Sequence, residues 1–399
     1  MSLTPRLRVR DGMRVLVTGA TRNSGLAVIR ALGRAGLRPV GADDRTFPLG
    51  LRSRYSERYH VYPSMDAEGL KHVLREARPD AFLPLATWSV RETVQQRAAF
   101  AALAALNLPE WRAFETVFDR RRLAAACDSA RVPCAALLST DDALRRLERG
   151  GNEALVVVKP AVERGGARGV RYCREPAALC CALEEASRAF GDAVVQEYVP
   201  GPPSAMRTVT LVYGRGGELL ARFTTRKIRS WPASGGVTAV CESTDDPALA
   251  VSLARLFEAI GWRGPAEAEL KIDERDGRAR LIEINPRFPG YVGFSVACGI
   301  NLPQIAALAA AGREAEVQRC PPYVAGRRYV SFAPFLRSAA SEIRRPGGGL
   351  RAAVASCREI APWAAGNCRD WSDPLPRVGK LLQEIASFAA RGDGRPPRP

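Results

Sequence analysis

The chain has 399 residues, 46% of them hydrophobic and 25% charged, the proportions of a globular protein long enough for two or three domains with buried cores. Its net charge of +17 is nearly all arginine spread along the chain, without a dense basic block or interleaved aromatics, so nucleic acid is not an expected partner. Ten scattered cysteines without a C-x-x-C pair, and only two histidines, His60 and His72, argue against a zinc site. No apolar run approaches the ~18–20 residues of a membrane span, and Met1–Gly12 lacks the apolar stretch of a secretion signal. A cytoplasmic protein is expected.

After a leader over residues 1–12, Arg14–Thr18 reads as a strand, Gly25–Ala35 as a helix and Pro39–Ala42 as a second strand. Ala67–Ala77 follows as a helix, Asp80–Leu85 as a strand and the alanine-rich Val90–Leu106 as a helix. This βαβα order predicts a parallel sheet with helices on its faces. From Phe114 the texture changes. Arg120–Ala130, Asp141–Glu148 and Pro176–Phe190 read as helices, and Leu155–Lys159, Gly169–Cys173, Val194–Val199, Thr208–Tyr213 and Leu219–Thr225 as strands. Pro247–Ile260 is predicted as a helix, Ala266–Ile272 and Arg280–Ile284 as a hairpin turning at Asp276–Gly277, and Leu302–Gly312 as a closing helix. From Arg313 the chain reads as loop-rich, with a linker at Arg345–Gly349, short helices near Leu350–Cys357 and Val378–Ala390, and a disordered end from Gly392.

Val15–Gly25, VLVTGATRNSG, looks like the glycine turn of a short-chain dehydrogenase, with Asp43 or Asp44 placed for a ribose hydroxyl. That chemistry needs a Tyr-x-x-x-Lys pair, in which the ammonium lowers the tyrosine pKa. The residues four before each lysine are Ala67, Leu155, Phe223, Glu267 and Pro376, so the pair is missing and the turn reads as structural or as part of a substrate site.

The scarcity of lysine is itself a signal. It occurs only at Lys71, Lys159, Lys227, Lys271 and Lys380, so a lysine marks a place where a compact ammonium could be wanted in preference to a planar fork. Lys159 closes the apolar run LVVVK; either its charge is used or the side chain snorkels from the sheet edge. Behind it, Glu163–Val170 holds three glycines whose N–H groups can line a concavity for phosphate oxygens, with Arg164 and Arg168 adding charge. Arg226, Lys227 and Arg229 read either as a phosphate-side cluster or as an exposed basic loop. In Leu281–Arg287, LIEINPR, an extended strand puts Glu283, Asn285 and Arg287 on one face and points Ile282 and Ile284 into the core. A carboxylate beside an amide oxygen suits magnesium, and Glu269 across the hairpin can supply a second carboxylate. The alternative is a solvated sheet face carrying Glu267, Glu269 and Lys271.

With these motifs, Phe118–Gly312 resembles the ATP-grasp superfamily, nearest the carboxylate–amine ligases and carbamoyl-phosphate-synthetase-like proteins. The resemblance implies an α/β fold: a Rossmann-like domain over 13–112, a two-lobed α+β ATP-grasp domain over 113–312 and a C-terminal extension over 313–399. It implies ATP as substrate and Mg²⁺ as cofactor, two ions with Mn²⁺ as an alternative. Arg120 and Lys159 would meet the phosphates, with Gly165, Gly166 and Gly169 above them. Gln196, Glu197 and Val199 would border the adenine, and Lys227 would reach the γ-phosphate. Glu269, Glu283 and Asn285 would hold the metals, and Arg287 would steady an acyl phosphate. The implied activity joins a small-molecule carboxylate to an amine, with a phosphotransferase or a non-catalytic nucleotide-binding protein as alternatives; a homodimer is left open. No acid stands near Pro202–Ser204, where the family holds the ribose, and Arg120 replaces a family lysine. In the tail, only the Asp373–Pro376 run DPLP resembles relatives.

Overall fold

A computed structural model describes residues 12–44, 53–151, 154–163, 168–232 and 236–344, with the single residues 349, 351, 354 and 373. The expected leader, the Arg345–Gly349 linker, the two short C-terminal helices and the final residues from Gly392 lie wholly or largely outside these. Three sheets organise the described chain.

The first is parallel. It is built from β1 (Arg14–Thr18), α1 (Asn23–Arg34), β2 (Arg38–Asp43), β3 (Arg58–Val61), α2 (Ala67–Ala77) and β4 (Ala81–Leu83), in strand order β3-β2-β1-β4. β1 is buried on both faces, as a central parallel strand must be: Leu16 faces the α2 side with Val40, Ala42 and Phe82, while Val15 and Val17 face α1. Asp66 caps α2 by accepting from Gly69 N at 2.8 Å. A Cβ at Gly25 would lie 2.1 Å from Gly19 O, so the glycine turn after β1 is explained by close packing of α1 on that turn. The helix expected over Val90–Leu106 is instead α3 (Thr87–Gln95) and α4 (Arg97–Ala101). The rest of that run leaves helical geometry because Phe82 N donates to Ala105 O at the sheet edge, with Ala104 and Leu106 buried beside it. Tertiary burial here overrides alanine's helix propensity.

The second sheet is antiparallel. α5 (Trp111–Phe118) and α6 (Arg120–Ala130) lead into β5 (Leu137–Leu138), α7 (Thr140–Arg149), β6 (Val156–Pro160), β7 (Arg171–Cys173), α8 (Pro176–Phe190) and β8 (Ala193–Glu197), in strand order β5-β8-β6-β7. Asp119 starts α6 by accepting from Arg121 N and Arg122 N. The apolar stripes of α7 and α8 (Ala143, Leu147, Leu179, Ala182, Ala186) close over Val156, Val158 and Val195.

The third sheet has six strands in order β13-β12-β9-β10-β11-β14. Its elements are β9 (Met206–Tyr213), β10 (Leu219–Trp231), β11 (Val237–Thr244), α9 (Pro247–Ala259), β12 (Gly264–Ile272), β13 (Ala279–Asn285), α10 (Gly293–Ala297), α11 (Leu302–Ala310), β14 (Arg328–Val330) and α12 (Phe332–Ile343). α9 covers one face through Leu249, Leu253, Leu256 and Phe257. On the other face Val212 and Phe223 share a core with α10, α11 and Val28, Ile29 and Leu32 of α1, so the first and third sheets are joined through one apolar cluster. β11, β14 and α12 were not expected from the sequence, and β10 runs six residues further than Leu219–Thr225. Ile282 is also corrected. A register shift between Glu269 and Leu270 sets Leu281 opposite Leu270, so Leu281 and Ile284 enter the core while Ile282 stays outside that cluster. Among the described residues no helix is long and apolar enough to cross a membrane.

Candidate active site

The polar face of the third sheet begins at its hairpin. β12 and β13 pair antiparallel with Glu267 opposite Asn285 and Glu269 opposite Glu283. Alternation places Ala266, Ala268 and Leu270 in the core beneath, so both glutamates of β12 rise on the same side. β12 also pairs with β9, setting Glu269 beside Thr208 and Glu267 beside Thr210. Thr208 lies opposite Thr225 of β10, and Lys227, two residues on, shares that face. Lys227 Nζ donates to Glu269 Oε2 at 3.0 Å. Burial opposes the Lys227 charge, but the Glu269 carboxylate, with Glu267 and Glu283, outweighs it and raises the pKa. Glu269 is held down in turn, its burial overcome chiefly by Lys227.

The exposed basic loop is thus ruled out for Lys227 and Arg229. Both lie within β10 and are buried, and Arg229 is spent on Ser338 and Glu342 of α12. Arg226 reaches Glu242 instead. The solvated-face alternative for Glu267 falls as well. It is 5% exposed, and burial pushes its carboxyl up to about 8 against the opposing pull of Arg287.

Arg287 sits where β13 ends. It donates to Glu267 Oε2 at 3.3 Å, Asn285 Oδ1 at 3.1 Å and its neighbour Phe288 O at 3.0 Å. Its Nε reaches Thr87 Oγ1 at the start of α3 at 3.3 Å, so one guanidinium bridges α3 and the third sheet. Tyr291 OH lies 3.3 Å from Thr225 Oγ1, and its hydroxyl is raised far above the ordinary tyrosine range by burial and by Glu267.

The second sheet supplies the facing wall. Lys159 is the second-last residue of β6, is 7% exposed and donates to Gln196 Oε1 at 2.6 Å, so it does not snorkel. Burial lowers it to about 8, with Glu283 pulling the other way. Gln196 Nε2 donates to Ala135 O at 3.2 Å. Arg120 donates to Pro160 O at 2.8 Å and Glu163 Oε2 at 2.7 Å and stands 3.6 Å from Glu283 Oε2, so it links the two sheets. Glu197 accepts from Ala136 N and Arg275, and its own N–H goes to Ala136 O; Val199 is buried just beyond. Gly165 and Gly166 lie outside the described residues. Gly169 has φ +74°, and a Cβ there would meet the Phe190 ring at 2.4 Å, so no other residue fits that position without rearrangement.

The cleft therefore gathers Lys159, Arg120 and Glu163 on one side and Lys227, Glu267, Glu269, Glu283, Asn285 and Arg287 on the other. Glu267, Tyr291 and the threonines of β9 and β10 are additions to the sequence reading. The A-E-A-E alternation of β12 carried the signal for Glu267; Tyr291 arrives on a loop whose return only the fold reveals. Among the described residues no three His, Cys, Asp or Glu side chains form a group able to hold a metal ion. The oxygen set Glu269, Glu283 and Asn285 is nevertheless of the hard kind magnesium takes. Desolvation in the cleft, followed by Glu269 and Glu163, raises the Glu283 carboxyl, a crowding of acids that a bound cation would relieve.

A family model described as ATP-grasp in the biosynthetic pathway with Ter operon matches residues 189–332. No curated protein matches the sequence. Among solved structures, the biotin carboxylase domain of Hydrogenobacter thermophilus 2-oxoglutarate carboxylase, solved with MgADP, ADP and bicarbonate, is 20% identical, with TM-score 0.59 over 77% of this chain and 72% of that one. An L-amino acid ligase from Bacillus licheniformis is 18% identical, with TM-score 0.55 over 77% of each chain. N5-carboxyaminoimidazole synthetase from Staphylococcus aureus is 14% identical, with TM-score 0.57 over 79% of this chain and 80% of that one. Residues 189–332 thus match an ATP-grasp family model, and the chain has the fold of these ATP-grasp enzymes.

Proposed function

We propose that the cleft binds ATP with magnesium and that the protein is a ligase joining a carboxylate to an amine through an acyl phosphate. The observation that carries this reading is the register of β12 on β13. It sets Glu269 opposite Glu283, with Asn285 and Arg287 next in line and Lys227 beside them. Lys159 and Arg120, on the facing sheet, supply cations for phosphate oxygens. Glu269, Glu283 and Asn285 would hold magnesium, which when bound neutralises charge on the transferring phosphoryl group. Because Glu197 spends its N–H and its carboxylate on the fold, and Gln196 its side chain on Lys159 and Ala135, contact with the adenine edge falls to the backbone near Val199.

In the first step a carboxylate oxygen of the substrate attacks the γ-phosphorus and the bond to the β-phosphate oxygen breaks, leaving ADP and an acyl phosphate. Arg287, already fixed by four acceptors, offsets charge on the acyl phosphate. In the second step the amine attacks the acyl carbon, phosphate leaves, and the nitrogen gives up a proton. Ligase relatives of the same fold, the L-amino acid ligase among them, support this choice of reaction. The test is an ADP-release screen of purified protein with ATP and Mg²⁺ against pooled carboxylates and pooled amines. ADP release that requires one member of each pool is expected; release with neither acceptor chemistry would overturn the assignment.

A further inference from the structure

One cavity lies away from the active-site cleft. It encloses about 700 Å³ where the first domain meets the far end of the six-stranded sheet. Its walls are α4 with the segment to Asn107, the β9–β10 turn, Arg263 ahead of β12, and the end of α11. That volume suits a ligand of small-peptide size, within the ~300–1,000 Å³ range of small-molecule sites.

Charge of both signs lines it. Arg97 is committed to the fold, donating to Leu108 O and Pro109 O and pairing with Glu110. Arg215 and Arg263 differ: among the described residues neither guanidinium has an ion pair, and neither do the carboxylates of Glu218 and Glu314. Two cations and two anions thus share one concave surface without neutralising one another. Asn107, one of the lining residues, is 3% exposed and gives its Nδ2 to Tyr213 O at 2.7 Å, while its buried Oδ1 has no donor. A buried acceptor without a donor is rare. The remaining wall is small and apolar, from Ala101, Ala104, Leu106 and Ala310.

We propose that this cavity is a binding site for a zwitterionic short peptide, of dipeptide size. Its carboxylate pairs with Arg215 and Arg263, and its ammonium turns toward Glu218 and Glu314. Small apolar side chains lie against the alanines. A simple anion would leave the two glutamates unanswered, and a simple amine would leave the two arginines so. None of these residues belongs to the catalytic cleft, so the inference stands whether or not the ATP reading does.

The test is calorimetric titration of the full chain with alanyl-leucine, N-acetyl-alanyl-leucine and alanyl-leucinamide. Saturable binding of the free dipeptide is expected, weakened at least ~10-fold by blocking either end. Arg263→Ala and Glu314→Gln should each weaken it by a similar factor while melting at the wild-type temperature; glutamine keeps the acceptor that Arg215 N uses. Absence of saturable binding up to ~10 mM across dipeptides with small apolar side chains would overturn the proposal. So would affinity indifferent to the blocking groups and to both substitutions.

Discussion

Lys159 shows how much a single buried charge can decide. Its ammonium has one short bond, to Gln196 Oε1, in a pocket that leaves 7% of the residue exposed. A guanidinium is wider and planar, so Lys159→Arg is expected to raise the KM for ATP at least ~10-fold or to abolish turnover. Wild-type ATP kinetics in that variant would remove Lys159 from the nucleotide site. Burial also sets its pH behaviour. With the pKa lowered from 10.5 to about 8, the free enzyme loses this cation as pH rises through 8, so ATP affinity should decline there. Lys159→Met should show weak binding without that inflection. Stability moves the other way: the folded value lies below the unfolded one, so the penalty of the buried charge is complete below pH 8 and fades toward 10.5. Lys159→Met should therefore melt higher than wild type at pH 7, with the gap closing as pH rises. The rarity of lysine drew attention to Lys159 and Lys227 in the sequence alone, and both are buried. What the sequence could not show is that the partner of Lys227 is Glu269, brought alongside only by the order of β10, β9 and β12.

At the scale of elements, the β12–β13 hairpin carries the largest part of the proposed chemistry. It was legible because its glutamates alternate with core residues and Asp276–Gly277 marks the turn. Helices α2 and α6 were legible as well, and in the fold Asp66 and Asp119 cap them. β10 was cut short in the sequence because Arg226, Lys227 and Arg229 look like a solvated run. The burial of Lys227 and Arg229 depends on Glu269 and Glu342, which lie far along the chain. β14 was hidden likewise, since a three-residue strand declares itself only beside β11. For the hairpin, Glu283→Gln keeps shape and volume but removes one charge from the oxygen set. It is expected to melt within a few degrees of wild type and lose at least ~100-fold in kcat. A variant with full turnover at ordinary magnesium would contradict the placement of the metal on this hairpin.

Across the whole molecule, the three sheets are tied by contacts that only the folded chain contains. Arg30 of α1 is 4% exposed and donates to Asp373 Oδ2 at 2.8 Å and to its backbone oxygen at 2.6 Å. Ser53 Oγ and Arg54 N also donate to that carboxylate, so Asp373, more than 300 residues along the chain, is seated against α1 and the segment before β3. The DPLP run marked the place in the sequence without revealing the partner. Removing one member of a buried pair strands the other, so Asp373→Ala should cost about 3 kcal/mol in denaturant unfolding. The double variant Arg30→Met, Asp373→Ala should recover part of that loss; a single variant as stable as wild type would show the pair to be idle. Catalysis is the claim to which this architecture leads, and the nature of its intermediate tests it most directly. An acyl phosphate is a mixed anhydride that hydroxylamine can intercept. With ATP, Mg²⁺ and the carboxylate found by screening, added hydroxylamine is predicted to yield a hydroxamate and ADP in equal amounts. A stable phosphoester without hydroxamate, or AMP as the nucleotide product, would contradict it.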